Sequence, residues 1–171
     1  MNELTVAWSR PAEERAGTRL VVALHGRGAD ERSMLPLAAY LGDDVTVAAP
    51  RGPVALVGGA YTWFENRGIG RPVESSISAS AELIFGWLDA AASGFSSVVL
   101  LGFSGGTAMG GGLLLREPER FAGSVLLSGT LPWGAGFDTS TGRLAGRPVF
   151  FGYDPADAVI PPELIRRSVT W

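Results

Sequence analysis

Six short runs of apolar, often β-branched residues recur along the chain, at 4–8, 20–24, 45–48, 98–101, 124–127 and 149–151. Most are continuous where a half-exposed strand would alternate, the pattern of strands covered on both faces in a parallel sheet. Segments of helical period lie between them. The stretch 75–92 places Ile77, Ala81, Ile84, Leu88 and Ala91 at steps of four and three, one apolar stripe. The stretch 31–41 puts Met34, Leu37, Ala38 and Leu41 on one face, with Asp30 as N-cap. Helices are also expected over 106–116 and 161–169, the second opening at Pro161 or Pro162. Strands alternating with helices predict an α/β fold, a mostly parallel sheet with helices on both faces. With 171 residues and no repeat, linker or low-complexity tract, one domain spanning 1–171 is expected.

Composition narrows the chemistry. A net charge of −3 and the lack of any basic run argue against a nucleic-acid partner. There is no cysteine, hence no disulfide framework and no thiolate nucleophile. One histidine and no cysteine make a zinc site unpromising, and no metal or organic cofactor is expected. The first residues carry no signal-peptide pattern, and no apolar run approaches a membrane span, so a cytoplasmic protein without a membrane span is expected. The 24 glycines, about twice the usual share, crowd around a few turns.

The most telling turn is "LLGFSGGTAMGG" at 100–111. An apolar strand runs into Gly102-Phe103-Ser104-Gly105-Gly106 and then into a helix, the setting of a serine nucleophile on a sharp elbow. The turn is tight enough that side chains two before and two after the serine would collide, which demands Gly102 and Gly106. The elbow also aims the Gly105 N–H and the positive helix end at an oxyanion beside Ser104. A closely packed or phosphate-cradling glycine turn competes with this reading, although no P-loop lysine follows.

"VVALHGRGAD" ends another strand at His25-Gly26, where an HG-type loop supplies a second oxyanion donor. The backbone N–H of Arg27 is the natural candidate, with His25 and Gly26 as structural members of the loop rather than base. "RPVFFGYDPADAVIPP" brings two carboxylates, Asp154 and Asp157, to the C-terminal end of a strand, where such sheets assemble their sites. Either one suits the acid that orients a histidine, and either suits an ordinary turn.

With these stretches in hand the sequence resembles the phospholipase/carboxylesterase family of α/β-hydrolases, a group of small esterases that includes acyl-protein thioesterases. The matching residues are "LHGRGADERSMLPLA", "APRGP", "WF" at Trp63-Phe64, "GFSGGTAMG", "RFAGSVLLSG" and "DAVIPP", in the family's order over nearly the whole chain. The resemblance implies Ser104 as nucleophile, Asp157 as triad acid, Arg27 and Gly105 as oxyanion donors, and Trp63 and Phe64 as substrate-binding residues. It implies a small acyl ester as substrate. Gly105 stands where the family commonly has glutamine, and Tyr153-Asp154 where it often has His-Gly.

The family's pattern continues past the acid to a last strand and a loop bearing the catalytic histidine, which these 171 residues do not contain. A truncated esterase, a pseudoenzyme that binds acyl groups or a partner, and a base supplied in trans are the competing accounts. The first is preferred because nucleophile, acid and oxyanion loops are all legible. On that account hydrolysis by this chain is very slow, and the strand at 149–151 is a bare apolar edge through which copies associate. A nucleotide-binding α/β domain is a weaker rival.

Overall fold

The computed structural model describes residues 4–144 and 146–171. Its strands in chain order are β1 (Val6–Trp8), β2 (Arg19–Leu24), β3 (Val45–Pro50), β4 (Val54–Ala55), β5 (Tyr61–Thr62), β6 (Ser97–Phe103), β7 (Gly123–Leu127) and β8 (Val149–Gly152). The α-helices are α1 (Glu74–Ala91), α2 (Gly105–Arg116) and α3 (Pro162–Thr170). Six strands form one sheet in the order β1-β3-β2-β6-β7-β8, and β4 with β5 makes a small separate hairpin. Every pair in the large sheet is parallel except β1 against β3.

The continuous apolar runs are the buried strands. Leu20, Val22, Leu24, Ala48 and Leu100 meet Ile77, Ala81, Ile84 and Leu88 of α1 and Met109, Leu113 and Leu114 of α2 in one cluster. The alternate residues Val21, Ala23, Val47 and Ala49 face the other way and pack under Met34, Leu35 and Leu37. Period-two strands buried on both faces thus split their side chains between two layers. The glycines of α2 let it approach the sheet: Gly110 sits in contact range of Leu24 and Leu126.

The segment expected as a helix over 31–41 forms instead as turns followed by a 3-10 helix, Leu35–Tyr40. Pro36 has no N–H to give to Arg32, and the observed bonds run three residues back, from Leu35 to Arg32 and from Leu37 to Met34. Asp30 Oδ1 accepts the Arg32 N–H at 2.9 Å, a turn two residues ahead rather than a helix cap. The helices over 74–91, 105–116 and 162–170 fall within a residue or so of the expected bounds.

Parallel register brings the functional loops together. Leu24 pairs with Gly102, Gly102 with Leu126, and Leu126 with Phe151. The residues following β2, β6, β7 and β8 therefore emerge side by side at the C-terminal edge of the sheet. At the outer strand, Phe150 is 63% exposed and Val149 38%.

Candidate active site

Ser104 sits between β6 and α2 at φ 53°, a conformation L-residues rarely adopt. Several constraints outside the turn hold it there. Its N–H donates to the Leu127 carbonyl at 2.9 Å, and its own carbonyl accepts from Thr107 N–H at 3.0 Å. The fully buried Thr107 Oγ1 accepts the Leu127 N–H at 3.1 Å and lies 2.6 Å from the Leu127 carbonyl and 3.0 Å from that of Gly102. A Cβ on Gly102 would run into the Gly106 carbonyl, and one on Gly106 into those of Leu24 and His25. The glycine spacing is thus a requirement of backbone meeting backbone.

The loop after β2 lies against this turn. A Cβ on Gly105 would fall 3.3 Å from Arg27 N, so the Arg27 backbone lies against Gly105, and both residues line one cleft with Ser104. Neither N–H has an acceptor among the described residues. Two adjacent, unspent donors beside a serine at a helix N-terminus are the arrangement that holds a developing oxyanion.

His25 is fully buried beneath the loop. Its Nε2 accepts the Gly52 N–H at 2.9 Å, which leaves the proton on Nδ1 to donate to the Gly26 carbonyl at 2.7 Å. Burial lowers its pKa below 6.5 and keeps the ring neutral. Both nitrogens are therefore committed to backbone. Trp63, also fully buried, packs against this ring at a 37° tilt with centroids 4.9 Å apart and donates its indole N–H to the His25 carbonyl at 2.7 Å.

Outside the loop, Glu31 and Arg51 form a two-pronged ion pair at 2.6 and 2.7 Å, with Glu31 nearly buried. Hydrogen bonding to Arg51 holds the Glu31 carboxyl at about 2 against an ordinary 4.5. Arg51 also packs over the Tyr61 ring at 4.5 Å, and Tyr61 binds Gly28 and Ala29 through its backbone. This cluster and the Thr107 bonds escaped the sequence reading, since neither has a periodic signature.

A cleft of about 260 Å³ opens at Ser104, lined by Arg27, Gly105 and Ala108 on one side and by Phe64, Asn66 and Ile69 on another, with Thr130, Leu131, Val159 and Ile160 completing the wall. Of the expected substrate-binding pair, Phe64 lines it and Trp63 does not: Trp63 is buried below the oxyanion loop instead. Asp157 lies in the loop that brings Val159 and Ile160 to the cleft but is not itself in the lining. Its Oδ1 accepts the Ile160 and Val159 N–H groups at 2.9 and 2.7 Å, which lowers its pKa and keeps it charged. Oδ2 has no partner among the described residues. Asp154 closes a local turn through Ala156 N–H at 2.8 Å. No group of three or more acidic or histidine side chains among the described residues is placed to hold a metal, and no described helix is long and apolar enough to cross a membrane.

No curated protein matches the chain in sequence. Among solved structures, Bacillus cereus carboxylesterase superposes with a TM-score of 0.81 at 22% identity, over 98% of this chain and 78% of that one. Mesorhizobium loti carboxylesterase gives 0.76 at 24% identity, over 89% and 72%. Zea mays acyl-protein thioesterase 2 gives 0.74 at 21% identity, over 97% and 82%. At such identities the likeness shows the fold, the α/β-hydrolase sheet. The sequence profile of phospholipases and carboxylesterases matches residues 11–170. By that match this chain belongs to the phospholipase/carboxylesterase family of ester hydrolases.

Proposed function

We propose that the site serves serine-based hydrolysis of small or medium acyl esters. Ser104 Oγ attacks the carbonyl, and the Arg27 and Gly105 N–H groups take the negative charge of the tetrahedral intermediate. The alcohol leaves an acyl group on Ser104, and water then releases the acid. Asp157, charged and with one oxygen unspent, is the group that would orient a histidine base. The observation that carries this reading is the pair of unpartnered N–H groups beside a serine held at positive φ.

The 171 residues hold one histidine, and its ring is committed to Gly26 and Gly52. Hydrolysis by this chain alone is therefore slow, on the order of 10³–10⁴ over water, the residue left by an oxyanion hole and binding when a triad member is missing. The same commitment of His25 favours a second reading, a non-catalytic acyl-binding protein on this fold.

Butylboronic acid separates the two without requiring turnover. Its boron bonds the Ser104 oxygen, whose proton passes to the buffer, and becomes a tetrahedral anion with a boron-bound oxygen in the place of the oxyanion. We expect a tetrahedral ¹¹B signal with the wild-type protein and its loss in Ser104→Ala. Saturable acyl binding with no such signal would leave only the second reading. Turnover of p-nitrophenyl butanoate at ordinary esterase rates, abolished in Ser104→Ala, would overturn the slow-turnover expectation.

A further inference from the structure

Behind the cleft lies a second cavity of about 210 Å³, between α2, the ends of β7 and β8, and α3. Its wall is mostly apolar, with Leu114, Leu126, Phe151, Val169 and Trp171, and Ser168 is its one polar side chain. Leu131 is the residue common to both walls. On α2, Ala108 faces the cleft and Gly111, one turn further, faces the second cavity. A Cβ on Gly111 would fall 2.6 Å from Leu131 Cδ2, so this methyl rests directly on the bare backbone there. Leu131 therefore lies across α2 at the boundary between the two spaces, 4% exposed.

Its backbone is held in place. Ser168 Oγ on α3 accepts the Leu131 N–H at 3.1 Å and lies 3.1 Å from Thr130 Oγ1 and 3.3 Å from Trp133 Nε1, while donating to the Leu164 carbonyl at 3.0 Å. With the main chain anchored, the Leu131 side chain stands between the two spaces, with Pro132 beside it against Gly111. A mostly apolar recess of this size, open to solvent past Val149, Val169 and Trp171, offers a hydrocarbon chain contacts that water cannot make.

We propose that Leu131 sets the acyl-chain length accepted at Ser104, and that the cavity behind it is where a longer chain goes once this side chain is cut back. The proposal rests on the esterase reading for the position of the acyl carbonyl. Each methylene buried in the cleft strengthens binding about fourfold, and the gain stops where the chain meets Leu131.

The test is calorimetric titration of the linear saturated fatty acids from butanoate to dodecanoate, kept monomeric. In the wild type, affinity rises with chain length to a plateau. In Leu131→Ala the rise continues for two or more further methylenes, at least a tenfold gain for the longest chains. Adding Val169→Trp to Leu131→Ala fills the second cavity and returns the plateau toward the wild-type length, which a general loosening of the fold would not do. Should Leu131→Ala unfold, Leu131→Val carries the same comparison. An identical plateau in wild type and variant, extension that survives Val169→Trp, or no binding of any chain overturns the proposal. A boronic-acid signal that fails while the chain-length shift persists would remove Ser104 as nucleophile and leave Leu131 in its role.

Discussion

The serine turn and the acid loop sit at the same edge of the same sheet, yet they are held in opposite ways. Ser104 is fixed by bonds that reach across the sequence, to Leu127 and through Thr107, and by glycine contacts with Leu24 and His25. Among the described residues the acid loop bonds only to itself: Asp154 to Ala156, and Asp157 to Val159 and Ile160. One half of the site is built into the core, and the other is a pair of surface turns resting on it. Strain such as the positive φ of Ser104 persists only where surroundings over-determine it, which is why Ser104 belongs to the first half.

The largest expected break in this contrast is Gly106→Ala. The added methyl meets the carbonyls of Leu24 and His25, which are main chain and cannot rotate away. We expect a loss of about 4 kcal/mol or more in urea denaturation, or failure to fold. Wild-type stability in this variant would mean that the turn is far less constrained than its contacts indicate.

Next comes Glu31→Gln, on the rigid side. Because Arg51 holds the Glu31 carboxyl at about 2 instead of 4.5, the folded state binds this proton less readily than the unfolded chain. The pair's contribution is complete above about pH 4.5 and is lost as pH falls from there toward 2. Stability measured between pH 7 and pH 2 should fall less steeply in the variant, by about 2 kcal/mol once the partial exposure of Arg51 is allowed for. Superimposable acid profiles would show that the pair contributes nothing to the Ser104 side.

The smallest effects belong to the acid loop. Asp154→Ala removes one exposed turn bond and should cost less than about 1 kcal/mol. Asp157→Asn keeps an oxygen for Val159 and Ile160 but loses the charge those N–H groups favour, and should lower the urea midpoint only slightly. A large loss in either would show that this loop is tied into the core after all.

The same division explains what was legible in the sequence. Gly102 and Gly106 announce the serine turn because the backbone collisions they avoid leave no other residue possible. The apolar strands are legible because burial on both faces removes alternation, and α1 because its stripe has a period. Residues 31–41 misled because Pro36 breaks an otherwise helical pattern from inside, and the pattern of apolar positions is indifferent to a missing N–H. The hairpin of β4 and β5 has two residues per strand, too few to carry a period. Trp63 and Phe64 are adjacent aromatics, and only the tertiary structure sends one under the loop and the other to the cleft. Leu131 and Ser168, thirty-seven residues apart, meet only once α3 docks.

The neutral, buried ring of His25 gives the molecule a built-in spectroscopic probe. It is the chain's one imidazole, so its Nδ1 proton and two ring nitrogens give a single set of resonances that needs no assignment by mutation. A proton buried and bonded to the Gly26 carbonyl exchanges slowly with solvent and stays visible. Because that carbonyl belongs to the peptide whose N–H is that of Arg27, in the cleft lining with Ser104, charge arriving beside Ser104 polarises the bond and moves the ring signal. Occupation of the site can thus be followed by NMR from beneath, on an unlabelled ligand and an unmodified protein.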